Sequence, residues 1–251
     1  PTSFGAPARP SPAGPYRPAR SGSRPPPSRS AAALAVLRDA APALRPGTVW
    51  AQTTTAGLDG LDELAGFARE HHLQLVDSPV LGTRQPAEAG ELVVLAAGPE
   101  TVRAALTPVY DAIGSRTLWV GDDAASGAAT RLKLVVNSWV LTVTHGTAEA
   151  LALAEGLGVD AERFLEAVAG GPLDMGYLRA KAGLILGGRL TPPSFATTTA
   201  LKDARLIVAA GEEAGVRLDV AAAGAERFRR AAEQGHGEED MAASYFASFP
   251  D

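Results

Sequence analysis

One long helical pattern, from 127 to about 157, divides the chain into two parts. Its apolar residues recur at the three- and four-residue spacing of an α-helix, and no proline interrupts it. Gly158 is predicted to end this helix. Before this pattern, short strand-like runs alternate with helical ones, and after it every pattern is helical. The sequence therefore predicts an α/β part over residues 31–121 and an all-helical part over 122–251, joined through this helix.

The α/β part reads as alternating helices and short strands. A helix begins at about Ala31, a strand is expected at Thr48–Ala51, and the runs LQLVDSPV and ELVVLAAG flank a polar loop. The run RTLWVG predicts a last strand, after a helix for which Gly114 is a plausible left-handed C-terminal residue. This order favours a parallel or mixed sheet that is covered by helices.

The charge of the chain is unevenly distributed. The net charge of the 251 residues is −5, yet residues 1–30 contain five arginines, no acidic residue and nine of the nineteen prolines. A segment of this composition cannot bury enough apolar surface to fold alone, so it is predicted to be a disordered leader. A proline-rich ligand centred on RPPPSR is the functional alternative. The acidic remainder argues against a general nucleic-acid binder.

Several classes of function are disfavoured by what the sequence lacks. There is no cysteine, which excludes disulfides and thiolate metal sites and makes the reducing cytoplasm the default location. No apolar run approaches the roughly 20 residues that cross a bilayer, so no membrane association is expected. His145 and Glu149 have the spacing of metal ligands on a helix but no evident third ligand, so no metal is expected.

Lys133 and Asn137 lie four residues apart within the long apolar helix, in the stretch GAATRLKLVVNSW. Residues at this spacing share one face of a helix. Lysine is almost never fully buried unless it is paired or used in a site. The two residues therefore line either a polar slot inside the protein or a solvated stripe of the helix.

Other candidates precede or follow this helix. Three threonines in QTTTAG lie between a strand and a helix, so Thr54 or Thr55 either caps that helix or contacts a cofactor. Gly82 and Gly90, between two predicted strands, permit close approach of a ligand or simply shape a connection.

A helix near the C-terminus carries adjacent opposite charges. Lys202 and Asp203 lie in ALKDARL, and a solvated surface pair is the commoner interpretation of such a dipeptide. The only sequence close to the dinucleotide-binding pattern G-x-G-x-x-G is GLGVDA, at 156–161, which follows a helix and is interpreted as a helix-to-helix turn.

Taken in order, QTTTAG, DSPVLGT, GAATRLKLVVNSW, EALALAEGLGVD and LKDARL resemble the motifs of the β-hydroxyacid dehydrogenases. The resemblance covers residues 31 to about 248. It implies a Rossmann domain, a long interdomain helix and an all-α domain that forms a homodimer, with NAD or NADP and a small-molecule substrate in the cleft between them.

The resemblance also implies roles for individual residues. Lys133 matches the general acid/base, and Asn137 matches a residue that holds the substrate beside it. Thr55 and Lys202 match positions near the cofactor. Gly82, with its neighbours Leu81 and Thr83, matches the loop whose backbone amides bind the acid group of the substrate.

Two departures from the family pattern matter. The family loop usually has serine where this chain has Leu81, which favours a bulkier or less polar substrate. The first βαβ units with G-x-G-x-x-G are not recognisable, so the Rossmann domain is expected to be partial and to bind cofactor weakly. A non-catalytic, dimerising homologue is therefore an alternative to the oxidoreductase, and an imine-reductase-like enzyme is a third possibility with less support.

Overall fold

Residues 29–250 are described by the structure, which is a computed structural model, and they contain five strands and nine α-helices. The α/β part contains α1 (Arg29–Ala40), β1 (Val49–Gln52), α2 (Leu58–Glu70), β2 (Gln74–Asp77), β3 (Val80–Leu81), α3 (Arg84–Glu88), β4 (Leu92–Ala97), α4 (Arg103–Ile113) and β5 (Gly114–Gly121). The helical part contains α5 (Ala128–Gly156), α6 (Ala161–Val168), α7 (Gly176–Leu186), α8 (Thr197–Glu213) and α9 (Asp219–Ala231), followed by 3₁₀ turns over Met241–Ser248.

The sheet is mixed. Strand β1 pairs with β2 in parallel, β2 and β3 both pair antiparallel with β4, and β4 pairs with β5 in parallel. Successive side chains of a strand point to opposite faces. Val94 and Ala96 of β4 accordingly pack on the side of α4, whereas Leu95 and Ala97 contact Ala129 of α5. The fold class predicted from the sequence, an α/β part followed by a helical part, is confirmed.

Helix α5 belongs to both parts of the molecule. Its 29 residues give it a length of about 43 Å. Ala129 packs against the sheet, Leu134 and Leu141 join the core formed with α8 and α9, and Leu151 packs against α7. Within residues 29–250, no helix has both the length and the apolar character that crossing a bilayer requires.

The α5 N-terminus is fixed to the sheet by a carboxylate. Its N-cap residue, Gly127, provides no side chain for the free N–H groups of the first turn. Asp77, at the end of β2, accepts instead from the backbone N–H and the hydroxyl of Thr130. These hydrogen bonds therefore connect β2 to α5 three residues before Lys133.

Four details differ from the sequence predictions. Helix α1 begins at Arg29, inside the predicted leader, whose residues 1–28 lie outside the described part. Helix α2 follows Gly57 without a side-chain cap, so Thr54 and Thr55 do not cap it. Gly114 is extended, with φ −143°, because it starts β5 directly. The polar loop before β4 contains the short helix α3.

The GLGVDA stretch connects α5 to α6, as predicted. Gly158 adopts the left-handed conformation after α5, with φ 68°. Asp160 then caps α6 by accepting from the N–H of Glu162.

Candidate active site

A cleft of about 1170 Å³ separates the loops at the ends of β1 and β3 from helices α5, α7 and α8. Ligand sites are concave and usually lie at such junctions between structural units. The seven residues to which the family resemblance gives a role in the site all line this cleft: Thr55, Leu81, Gly82, Thr83, Lys133, Asn137 and Lys202. The fold thus brings together residues that are up to 147 positions apart in the chain.

Lys133 is a buried cation of the cleft. Only 9% of the residue is exposed, and its Nζ donates to the carbonyl oxygen of Val80 at 2.7 Å. Burial lowers the pKa of Lys133 to about 8, against the attraction of Asp203, which raises it, while Lys202 lowers it further. An amine with this pKa holds or releases a proton close to neutral pH.

Asn137 is held by a carboxylate from α8. Its Nδ2 donates to Oδ2 of Asp203 at 3.0 Å, and both side chains are buried. The Lys202 ammonium lies 2.6 Å from the other oxygen, Oδ1, which accepts no directed hydrogen bond from a described residue. The contact between Lys202 and Asp203 is therefore mainly electrostatic. Because Asp203 is 3% exposed, the interpretation of this dipeptide as a solvated surface pair is wrong.

Lys202 also connects the two parts of the chain. Its Nζ donates to the backbone carbonyl of Thr55 at 3.2 Å. Thr55 belongs to the turn that leaves β1, and Lys202 lies in α8. The threonine turn is therefore positioned by the helical part, and the Thr55 hydroxyl makes no hydrogen bond to any described residue.

The loop after β3 needs glycine at position 82 for packing. Gly82 has φ 124°, and a Cβ there would lie 2.6 Å from Cδ2 of Leu92 and 3.2 Å from Pro86. Thr83 makes no side-chain capping bond to α3. Gly90 does not line the cleft, because it closes the turn after α3 next to the carbonyl of Ala112. Of the two alternatives for Gly90, a ligand contact and a plain connection, the structure favours the connection.

A second buried ion pair lines the cleft and was not identified from the sequence. Lys181 of α7 donates to Oδ1 of Asp240 at 2.7 Å, and their side chains are 4% and 1% exposed. Oδ2 of Asp240 accepts from the backbone and the hydroxyl of Ser194, which also lines the cleft. Like Lys133, Lys181 is a lysine within an apolar helical stretch, GYLRAKAGLIL. This pattern could have identified it from the sequence.

Each of the two parts of the chain matches a model of a known protein family. Residues 28–121 match a sequence model of the NAD-binding domain of 6-phosphogluconate dehydrogenase. Residues 127–247 match the NAD-binding model of NADP-dependent 3-hydroxyisobutyrate dehydrogenase. The two models follow one another along the chain and meet at the start of α5. The chain belongs to the β-hydroxyacid dehydrogenase family.

Individual relatives of this chain include a protein named as a reductase and a protein named as a nuclear factor. Glyoxylate/succinic semialdehyde reductase 1 of Arabidopsis thaliana is 32% identical over 170 residues, which are 68% of this chain and 57% of the relative. Cytokine-like nuclear factor N-PAC of Gallus gallus is 29% identical over 204 residues, 81% of this chain and 36% of the relative. The chain therefore spans less than two thirds of the length of these curated relatives.

A solved structure shows the same arrangement of domains. The 3-hydroxyisobutyrate dehydrogenase of Salmonella typhimurium superposes with a TM-score of 0.79 at 26% identity, covering 86% of this chain and 75% of the other. Because both matching family models are NAD-binding, NAD or NADP is the cofactor of this member of the family.

The cleft fits one end of that cofactor. The free hydroxyl of Thr55 and the ammonium of Lys202 suit the amide and hydroxyl groups at the nicotinamide end. For the diphosphate, no strand in the sequence is followed by G-x-G-x-x-G. Within residues 29–250, no three His, Asp or Glu side chains are grouped to hold a metal ion.

Proposed function

We propose that this chain is an NAD(P)-dependent oxidoreductase that interconverts a hydroxyl and a carbonyl group of a small acid, with Lys133 as the general acid/base. The observation that carries the proposal is the burial of Lys133 in the cleft, beside Asn137, with a pKa of about 8. A general acid/base is most effective when its pKa is close to the working pH.

Proton transfer is the task of Lys133. In the reducing direction the ammonium donates a proton to the substrate carbonyl oxygen, and in the oxidising direction the neutral amine removes the proton of the hydroxyl. The nicotinamide, when bound, supplies or accepts the hydride. The 2.7 Å bond to the Val80 carbonyl keeps Nζ in one place, and the remaining N–H groups are available to the substrate.

Asn137 orients the substrate. One N–H of its amide is used by Asp203, which prevents the amide from rotating freely. The amide oxygen and the second N–H remain as an acceptor and a donor beside Lys133. Asp203 thus acts through Asn137 as a positioning residue.

The loop of Leu81, Gly82 and Thr83 contacts the substrate next to its reacting carbon. Its backbone amides and the Thr83 hydroxyl are donors at the edge of the cleft. The side chain of Leu81 contributes no donor, so a carboxylate in this position would be held by fewer hydrogen bonds than in relatives with serine there. Thr55 and Lys202 lie on the cofactor side of the same space.

A cofactor titration separates this proposal from a non-catalytic homologue. We expect NADPH or NADH to bind the 251-residue chain and Lys133→Ala to remove turnover without changing cofactor affinity. A chain that binds neither nucleotide up to millimolar concentration would support the non-catalytic alternative. That alternative is a serious one, because the relative N-PAC is named as a nuclear factor and not as an enzyme.

We also propose a homodimer that forms through the helical part. Helix α5 and the residue that follows it expose four large apolar side chains on one stripe, with exposed fractions of 61% to 69%. They are Val135, Trp139, Leu153 and Leu157. Aromatic residues of this kind are the usual anchors of protein interfaces. A second copy of the chain would cover the stripe symmetrically.

A further inference from the structure

The threonine turn, residues 53–55, is held by one buried side chain. Gln52 ends β1 and is 2% exposed. Its Oε1 accepts from the backbone N–H and from the hydroxyl of Thr54, both at 2.6 Å, and its Nε2 donates to the carbonyl oxygen of Thr54 at 2.9 Å. The amide of Gln52 therefore contacts every polar group of Thr54.

The orientation of the Gln52 amide follows from these contacts. A backbone N–H can only donate, and a backbone carbonyl can only accept. If the amide were turned over, its NH₂ would face the N–H of Thr54 and its oxygen would face the carbonyl, so both contacts would become repulsive. The amide oxygen carries no proton, so the hydroxyl of Thr54 is the donor in its contact with Gln52.

Thr54 then presents only an acceptor to the cleft, which it lines together with Thr53 and Thr55. A hydroxyl group has one proton and two lone pairs. The proton of the Thr54 hydroxyl is used by Gln52, so only lone pairs remain for a ligand. A group that binds Thr54 Oγ1 from the cleft must therefore be an N–H or O–H donor. A carbonyl or carboxylate oxygen would be repelled.

The helical part holds the same turn from the other side. Lys202 donates to the carbonyl oxygen of Thr55 at 3.2 Å. Gly57, which follows the turn, has φ 76°, and a Cβ there would lie 2.8 Å from Cδ2 of Leu206 in α8. The turn is thus fixed between β1 and α8, and the acceptor of Thr54 is in place before a ligand binds. Such pre-organisation increases affinity, because less freedom is lost on binding.

We propose that Gln52 is a positioning residue for the cofactor. By fixing the Thr54 hydroxyl as an acceptor, it makes the turn select the N–H donors of the carboxamide at the nicotinamide end. The ammonium of Lys202 is a donor and suits the carbonyl oxygen of the same carboxamide. The inference rests on the cofactor side of the function proposed above, where the nicotinamide end lies beside Thr55 and Lys202. It does not involve Lys133.

The test compares NADH and NADPH with their 3-acetylpyridine analogues. In each analogue a methyl ketone replaces the carboxamide, so the N–H donors are lost and the carbonyl oxygen is kept. Binding to the 251-residue chain is measured by calorimetry without substrate, so the result does not depend on turnover. We expect the natural nucleotide to bind at least about fivefold more tightly than its analogue, which is the contribution of one hydrogen bond.

Three variants assign this preference to Gln52 and Thr54. Thr54→Val removes the acceptor, so the nucleotide and its analogue should bind equally. Gln52→Met keeps the length of the side chain but lets the Thr54 hydroxyl rotate, so the preference should fall to about twofold or less. Gln52→Glu keeps an oxygen that accepts from the N–H and the hydroxyl of Thr54, so it should retain most of the preference.

Hydrogen exchange of the ligand-free chain tests the turn itself. The amide of Thr54 should exchange at least about tenfold faster in Gln52→Met than in the unsubstituted chain, because its acceptor is removed. Gln74→Met is the matched control, since Gln74 is exposed at the start of β2 and does not line the cleft. It should change neither this exchange rate nor the preference between the nucleotides.

Two results would overturn the role of Gln52. One is an unsubstituted chain that binds a nucleotide and its analogue equally, and the other is a preference that persists in Gln52→Met. Either result leaves the oxidoreductase function intact, because that function is decided by the turnover of Lys133→Ala. A chain that binds neither nucleotide would overturn both proposals.

Discussion

The Asp77 carboxylate accepts two hydrogen bonds from one residue, Thr130, through its backbone N–H at 2.8 Å and its hydroxyl at 3.0 Å. Asp77 ends β2, and Thr130 lies in the first turn of α5. Three residues after Asp77, the Val80 carbonyl accepts from Lys133. The capping contact therefore determines where α5, which carries Lys133, meets the loop that lines the cleft.

Asp77→Asn tests the charge state of this contact. Burial raises the pKa of Asp77 to about 6 from 3.8, although the bonds from Thr130 oppose the shift. The folded state then holds a proton that the unfolded state has released, so Asp77 contributes less stability as the pH rises from about 4 through 6. The free energy of unfolding of the unsubstituted chain minus that of the Asp77→Asn variant should fall by about 2 kcal/mol between pH 4 and pH 7.

Urea unfolding at several pH values measures that difference. Asp122→Asn is the matched control, because Asp122 is exposed. The pH dependence of the unfolding free energy in this variant should be the same as in the unsubstituted chain. If the difference between the unsubstituted chain and Asp77→Asn is flat or grows with pH, Asp77 is ionised throughout and the assigned shift is wrong.

Asp203→Asn should lower the pKa of Lys133 below about 8. The negative charge of Asp203 raises this pKa, against the effects of burial and of Lys202. Because the chain has three lysines, the ¹⁵Nζ resonance of Lys133 can be assigned by its loss in Lys133→Arg and titrated directly. Asp219→Asn breaks a surface pair with Arg217 and serves as the control. An unchanged or higher pKa in Asp203→Asn would contradict the arrangement.

Relationships between residues that are close in sequence could be predicted from the sequence. Lys133 and Asn137 share a helix, so their common face follows from helical periodicity. Asp240 lies 59 residues from Lys181, and their pairing depends on how the last turns pack on α7. The sequence predicts Gly114 as the residue that ends a helix, but this helix leads straight into β5, and a Cβ on Gly114 would lie 2.5 Å from the carbonyl oxygen of Leu92. Contacts of this kind follow from tertiary packing and have no local pattern.

The rate of oxidation should follow the ionisation of Lys133. The neutral amine is the base, so the rate should rise with pH and level off above about 8, while the reduction shows the reverse dependence. Lys133→Ala should lose at least about 100-fold in kcat. Lys133→Arg keeps the charge but cannot release the proton, so it should be equally inactive. A pH profile that is unchanged in either variant would assign the proton transfer to another group.

The apolar stripe of α5 should control the oligomeric state. Trp139 is 61% exposed and Val135 is 65% exposed, and a charge at the centre of an interface costs far more than one at a solvated surface. Trp139→Glu and Val135→Glu should each shift the chain from dimer to monomer in analytical ultracentrifugation, with the circular dichroism spectrum retained. Val36→Glu, at a 68% exposed position of α1, should leave the dimer intact. A monomeric unsubstituted chain would exclude the dimer. A dimer that persists in both α5 variants would place the interface elsewhere.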